Sequence, residues 1–197
     1  LRSKPWKRLK NFEILALDGA ANLLAKEGTL PTWVLGDLDS ISAKWRAFLE
    51  KKKVPFVFLP DQNFTDFEKA LQWCKERGVK NVWVFQALGK RLDHSLHNLF
   101  QLKRFSSMNI RLFSETETIY FLKNSKLSLR GKKRRRLAVF PLPRAQVSST
   151  GLRWNLNKKW LELGHSASVC NETVQERVGI RVSSGSVLVI EEGWNFS

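Results

Sequence analysis

Long apolar runs are missing from this chain. No stretch approaches the ~18 residues of a membrane-spanning helix, and no signal-peptide pattern opens it. Cysteine is scarce: Cys74 and Cys170 stand far apart without metal-ligand spacing. That excludes a disulfide framework or a thiolate zinc site and makes a reducing interior, the cytoplasm, the expected compartment. Internal repeats are absent, which excludes a solenoid. Acid is in short supply, with 18 Asp and Glu against 34 Lys and Arg and a net charge of +16. Attraction to polyanions follows, whether nucleotide, nucleic acid or anionic membrane. Aspartate stops altogether after Asp93.

What is present is an ordinary globular interior, 43% hydrophobic over 197 residues, enough for one large domain or two small ones. The six aspartates are Asp18, Asp37, Asp39, Asp61, Asp66 and Asp93, and most directly follow an apolar run. Phe12 to Leu17 ends at Asp18, Trp33 to Leu35 at Asp37 and Asp39, and Val54 to Leu59 at Asp61; Asn81 to Phe85 leads to Asp93. Short apolar runs alternating with helical stretches predict a parallel sheet, which binds ligands at the carboxyl ends of its strands. Acids gathered on such an edge of a basic chain point to a divalent cation and hence a phosphorylated substrate. The plainer reading is that Asp is a common turn and cap residue.

Helices are expected over Ala20–Lys26, over Ala43–Lys51 capped by Ser42, from the Thr65–Glu68 capping box to Gly78, and from an Asp93 cap through Leu96, Leu99, Phe100 and Lys103. Asn109 to Phe113 reads as a last strand of this part. From Glu115 on, six short β-rich runs separated by turn residues suggest a β-sandwich or barrel: 118–122, 126–129, 137–140, 160–163, 179–182 and 186–190. The expected organisation is therefore α/β + β, with a parallel, Rossmann-like catalytic domain over 1–113 and a β-sandwich domain over 114–197. The start at Leu1 suggests that an N-terminal strand is missing, and 132–136 reads as a solvated basic turn.

Three segments carry chemistry. In Gly36-Asp37-Leu38-Asp39-Ser40 two acids can reach one cation once Gly36 lets the strand turn. Asp66 stands in a first helical turn, where the macrodipole keeps a carboxylate ionised, with Lys69 one turn on. Gly89-Lys90-Arg91-Leu92-Asp93-His94 sets two cations beside an acid at a strand-to-helix junction, a phosphate clamp.

Taken in order, Asp18-Gly19-Ala20-Ala21-Asn22, Gly36 to Ile41, Asp61-Gln62 with Thr65 to Leu71, and Gly89 to His94 resemble thiamin pyrophosphokinase. Thr150-Gly151-Leu152-Arg153-Trp154-Asn155-Leu156 and Ser168-x-x-Asn171-Glu172 are similar to that family's thiamin-binding domain, so the resemblance covers nearly the whole chain. Ala20 and Lys90 stand where the family usually has glycine, and Cys170 where it has serine.

The resemblance implies transfer of a diphosphoryl group from ATP to the thiamin hydroxyl, giving thiamin diphosphate and AMP. It implies Asp37, Asp39 and Asp66 on Mg²⁺, Asp93 as hydroxyl-orienting base or further ligand, and Lys69, Lys90 and Arg91 on phosphate. Asp18, Asn22 and Gln62 would hold nucleotide or substrate, and Thr150, Trp154, Ser168 and Asn171 the thiamin. A homodimer is implied, because in the family the β-domain of one subunit faces the catalytic domain of the other. Two rivals differ in class. A haloacid-dehalogenase-like phosphatase with Asp37 as nucleophile needs late acidic ligands, and no Asp follows Asp93. A nucleic-acid-binding protein needs bases and aromatics in one stripe, whereas here they are spread along the chain. No specific nucleic acid and no membrane are expected as partners.

Overall fold

The computed structural model describes residues 11–89, 91–131 and 133–196. The first ten residues and the expected phosphate ligand Lys90 lie outside them. Two compact units divide after Gly78.

In the first unit, strands β1 (Leu15–Leu17), β2 (Trp33–Gly36) and β3 (Phe56–Phe58) pair in parallel in the order β1-β2-β3. Helices α1 (Ala20–Lys26), α2 (Ala43–Lys51) and α3 (Asp66–Glu76) connect or follow them. Alternate strand residues face opposite ways. Ala16 and Val34 join Ala21, Leu24 and Leu49 of α1 and α2 in one core cluster. Trp33 faces the other way and meets Trp73 of α3, ring centroids 5.5 Å apart. Burial on both faces is why these strands read as continuous apolar runs instead of alternating ones. The α3 capping box is formed: Thr65 Oγ1 accepts from Glu68 N–H at 3.3 Å, and Glu68 Oε2 accepts from Thr65 N–H at 3.1 Å.

In the second unit, β4 (Asn81–Phe85) and β5 (Asn109–Phe113) form a parallel pair around α4 (Leu92–Gln101). The six runs expected after Glu115 become β6 (Glu117–Lys123), β7 (Lys126–Arg130), β8 (Arg136–Thr150), β9 (Lys159–Glu162) and β11 (Arg177–Glu192), and β10 (Ser168–Glu172) is a strand that the sequence does not announce. The runs at 179–182 and 186–190 are one strand of 16 residues. Gly185, which reads as a turn, instead sits at a register shift with φ +83°. The sheet runs β10-β8-β11-β6-β5-β4, with β7 on β11 and β9 on β8.

The two long strands change partners half-way. β8 pairs with β10 over its first half and with β9 over its second; β11 pairs with β7 first and β6 later. The two stretches fold around one core containing Leu137, Val147, Leu161, Val178, Ile180 and Val189, a corner made by strands that bend between layers. The architecture is thus α/β followed by β. The division expected at residue 113 falls inside this sheet, because β5 is hydrogen-bonded to β6, as in Leu112 opposite Ile119.

α4 departs in detail from expectation. Its cap residue is Arg91, and Asp93 lies in the first turn. Ser95 Oγ donates to the Arg91 carbonyl at 2.8 Å and accepts from Gly89 N–H at 3.1 Å, drawing the helix start back. Leu92, Leu96 and Phe100 are exposed, and Asn98 is the residue it buries. Within the basic run, Arg135 is no solvated turn residue: Nη1 meets the buried Glu191 carboxylate at 3.2 Å. Among the described residues no helix is long and apolar enough to cross a membrane.

Candidate functional site

The first unit gathers its acids where β1 and β2 end. Asp18 closes β1 in a left-handed conformation, φ 41°, and its N–H donates to the Leu35 carbonyl at 2.8 Å. Gly36 has φ +142°, and a Cβ there would stand 3.1 Å from Asp18 Cβ. Glycine therefore lets the two strand ends approach closely enough for Asp18 and Asp37 to share one space. Leu38 is also left-handed, φ 65°, an uncommon place for a branched residue. From α3, Asp66 completes a group in which carboxylate oxygens of Asp18, Asp37 and Asp66 all lie within 4.8 Å of one another.

Neighbouring groups hold these acids in place. Ser40 Oγ and N–H both donate to Asp18, the latter at 3.3 Å. Gln62 Nε2 donates to Asp37 Oδ2 at 3.2 Å and is the main reason that the Asp37 carboxyl is held below the ordinary carboxylate range. Asp39 is pushed the other way, chiefly by the charge of Asp37, with Asp18 and Asp66 adding to it. So Asp39 belongs to the same crowd of charge, although the trio within mutual reach takes Asp18 instead. The resemblance sets Asp18 with the nucleotide or substrate; in the structure it is 9% exposed and lies within reach of Asp37 and Asp66.

Two expected ligand-binding residues are engaged within the fold. Lys69 is nearly buried, and its Nζ meets Asp66 at 2.9 Å and the Leu59 carbonyl at 2.9 Å. It fixes α3 to the end of β3 and balances Asp66. Asn22 spans the 40–42 loop, donating to the Ser40 carbonyl at 2.8 Å and accepting from Ser42 N–H at 3.0 Å. Asp61 closes a turn through Asn63 N–H at 2.9 Å.

In the second unit Arg91 forks onto Asp93, with Nε at 3.1 Å from Oδ1 and Nη2 on Oδ2. With the His94 N–H also donating, the guanidinium lowers the Asp93 carboxyl to about 2. Such a carboxylate orients a hydroxyl well and keeps its proton poorly. The β strands frame a cavity of about 430 Å³, lined among others by Trp154, Leu156, Lys159, Ser168, Val169 and Asn171. Trp154 is 57% exposed, so it is no core residue. The Arg153 guanidinium stands over its ring, 5.0 Å from the centroid. Asn171 is buried, 2% exposed, and is spent on holding Trp154: it donates to the Trp154 carbonyl at 2.8 Å, accepts from Trp154 N–H at 3.2 Å and donates to Ser168 Oγ at 3.2 Å. Thr150 is not among the lining residues and pairs across the sheet with Gly179. Sequence reasoning misses Lys159, which follows the recognised 150–156 segment within three residues; its charge gives no signal in so basic a chain.

The family model for the thiamin pyrophosphokinase catalytic domain matches residues 6–114, more than half of the chain. The chain belongs to the thiamin pyrophosphokinase family. A second model, the thiamin pyrophosphokinase vitamin B1 binding domain, matches residues 123–187. Among relatives, Thiamin pyrophosphokinase 1 of Caenorhabditis elegans is 29% identical over 91% of this chain and 79% of its own length. Thiamine pyrophosphokinase of Bacillus subtilis is 25% identical over 89% and 85%. The crystal structure of the Bacillus subtilis protein superposes with a TM-score of 0.85 at 22% identity, covering 95% of this chain and 91% of that one. The yeast thiamin pyrophosphokinase structure gives 0.78 at 17% identity over 91% and 78%. These two likenesses concern the fold.

Proposed function

We propose that this chain transfers a diphosphoryl group from ATP to the hydroxyl of thiamin, releasing AMP. Membership of the family supports the reaction, and the observation from the molecule itself that carries it is the carboxylate trio Asp18, Asp37 and Asp66 at the carboxyl ends of parallel strands. Hard oxygen ligands crowded at like charge suit Mg²⁺, with Asp39 beside them as a further ligand. When bound, the ion would neutralise phosphate oxygens and balance the acids. Gln62 and Ser40 hold Asp37 and Asp18 in position, and Lys69 holds Asp66, so the donors are organised in advance.

Arg91 is assigned to phosphate, exchanging its fork from Asp93 to a phosphoryl oxygen, and Lys90 beside it adds charge. Asp93, freed of that partner, orients the attacking hydroxyl. Trp154 offers an aromatic face to the cationic, flat substrate, with Ser168 in the cavity wall and Asn171 setting the Trp154 backbone. Thr150 contributes by opening the segment that carries Trp154, and Asn22 by fixing the loop beside Asp18. Residues 1–113 are the catalytic part and 114–197 the thiamin-binding β-sandwich. A homodimer in the cytoplasm completes the reading. A phosphatase with Asp37 as nucleophile fares worse, since that carboxylate is hydrogen-bonded by Gln62 and set among other acids. Incubation with Mg-ATP and thiamin tests the proposal. AMP formed in step with thiamin diphosphate supports it; ADP, or AMP formed without thiamin, overturns it.

A further inference from the structure

The basic residues that look scattered in sequence are gathered by the strand register. On the outer face of the layer β7-β11-β8-β9, Lys126 lies directly opposite Arg181, and Arg130 directly opposite Arg177. All four are exposed, while Leu129, Val178, Ile180 and Val182 between them point into the core. Ser128, Gly179 and Thr150 form a row of small residues between the two charged pairs. Further along the same face the Arg144 guanidinium stacks 4.4 Å from the centroid of Trp160, which is 45% exposed. Among the described residues of the stretches paired in this layer (126–130, 177–181, 144–150 and 159–162), Glu162, opposite Arg144, is the one acid.

Like charges placed directly across a ladder destabilise it. Two such pairs on one face are a cost that an anionic partner would relieve. A second copy of the chain is a poor partner, because a two-fold contact sets cation against cation. A lipid surface is also poorly matched, since Trp160 is the one large apolar group that the described residues of the face offer for insertion. The combination that remains is an open sheet face, charge in two rows and an exposed aromatic ring at the edge. The rows stand four residues apart along β7, roughly 13 Å at the strand repeat, so an extended phosphodiester backbone crosses both. Trp160 then meets an unstacked base, which a duplex would keep inside.

We infer that this face, Lys126, Arg130, Arg177 and Arg181 with Trp160, binds single-stranded nucleic acid without sequence preference, a role additional to the transfer reaction.

The test uses the full chain and a fluorescently labelled oligo-dT of roughly 16 nucleotides, followed by anisotropy between about 50 and 200 mM salt. Two paired variants, Lys126→Thr with Arg181→Thr and Arg130→Thr with Arg177→Thr, each remove one row. Threonine suits a strand and removes the repulsion, so both should melt at or above the wild-type temperature. Each should bind at least ~10-fold more weakly, with the slope of log K against log salt lowered by about 1.4, at ~0.7 for each phosphate no longer neutralised. Trp160→Ala, at an exposed edge, should cost about fivefold or more. Thiamin-dependent AMP formation should be unchanged in all three. Absence of binding by the wild type at about 100 mM salt overturns the inference. So does undiminished binding by the paired variants, or tighter binding to phosphatidylserine vesicles than to the oligonucleotide.

Discussion

Trp154 and Asn171 have complementary roles. The first presents a ring to the cavity, and the second, buried behind it, fixes the backbone that carries the ring. Because Trp154 is more than half exposed, truncation removes the face proposed to meet thiamin and little packing. Trp154→Ala should raise the thiamin KM by roughly tenfold or more with a melting temperature close to wild type, and Trp154→Phe should recover much of the loss. Unchanged KM in the folded Ala variant would take the residue out of the site. Asp39 behaves in the opposite sense. Its carboxyl titrates above the ordinary value because Asp37 stands beside it, so in metal-free protein the charged form is the strained one. The stability tied to its protonation is present at acid pH and is lost as pH rises through that raised value. Asp39→Asn should therefore melt higher than wild type in chelator at pH 7, yet lose at least ~10²-fold in turnover with Mg-ATP. A variant that melts lower in chelator, or turns over normally at saturating Mg²⁺, would contradict this account.

At the scale of elements, what the sequence makes legible is whatever is fixed locally. The capping box of α3 and the limits of α1, α2, β4 and β5 follow from neighbours in the chain, and they appear where their residues indicate. The acids at strand ends are legible for the same reason. The pairing of strands is not. β11 reads as two runs because Gly185 looks like a turn, and only its pairing with β8 shows that the strand continues through it. That Asp18 stands within reach of Asp37 and Asp66 is not legible either, because nothing local says that β1 ends beside β2. A Cβ at Gly185 would fall on the Arg144 carbonyl, and the residue's φ is +83°. Gly185→Ala should cost about 1–3 kcal/mol and lower the melting temperature by several degrees, measured by calorimetry. An unchanged melt would mean that the corner of β8 and β11 tolerates a different path.

Over the whole molecule the two thiols report on packing. Cys74 is 2% exposed and burial pushes its thiol up to about 11, whereas Cys170 is exposed. One equivalent of a thiol reagent should react at pH 7 with the native protein and two after denaturation, read by mass spectrometry. Rapid native labelling of both would mean that α3 opens readily. The net charge of +16 is likewise a property that only the fold distributes, some of it spent on buried partners such as Glu191 and some collected on one sheet face.

The order in which a ribosome delivers this chain now matters. β11 is the last of the described strands to be made, and it is the central one, the neighbour of β6, β7 and β8. Until it emerges, each of those strands has an open edge where β11 will lie, and the sheet cannot close. The β part of a nascent chain must therefore wait, edges bare, for β11, which makes that interval the one in which a chaperone has most to protect.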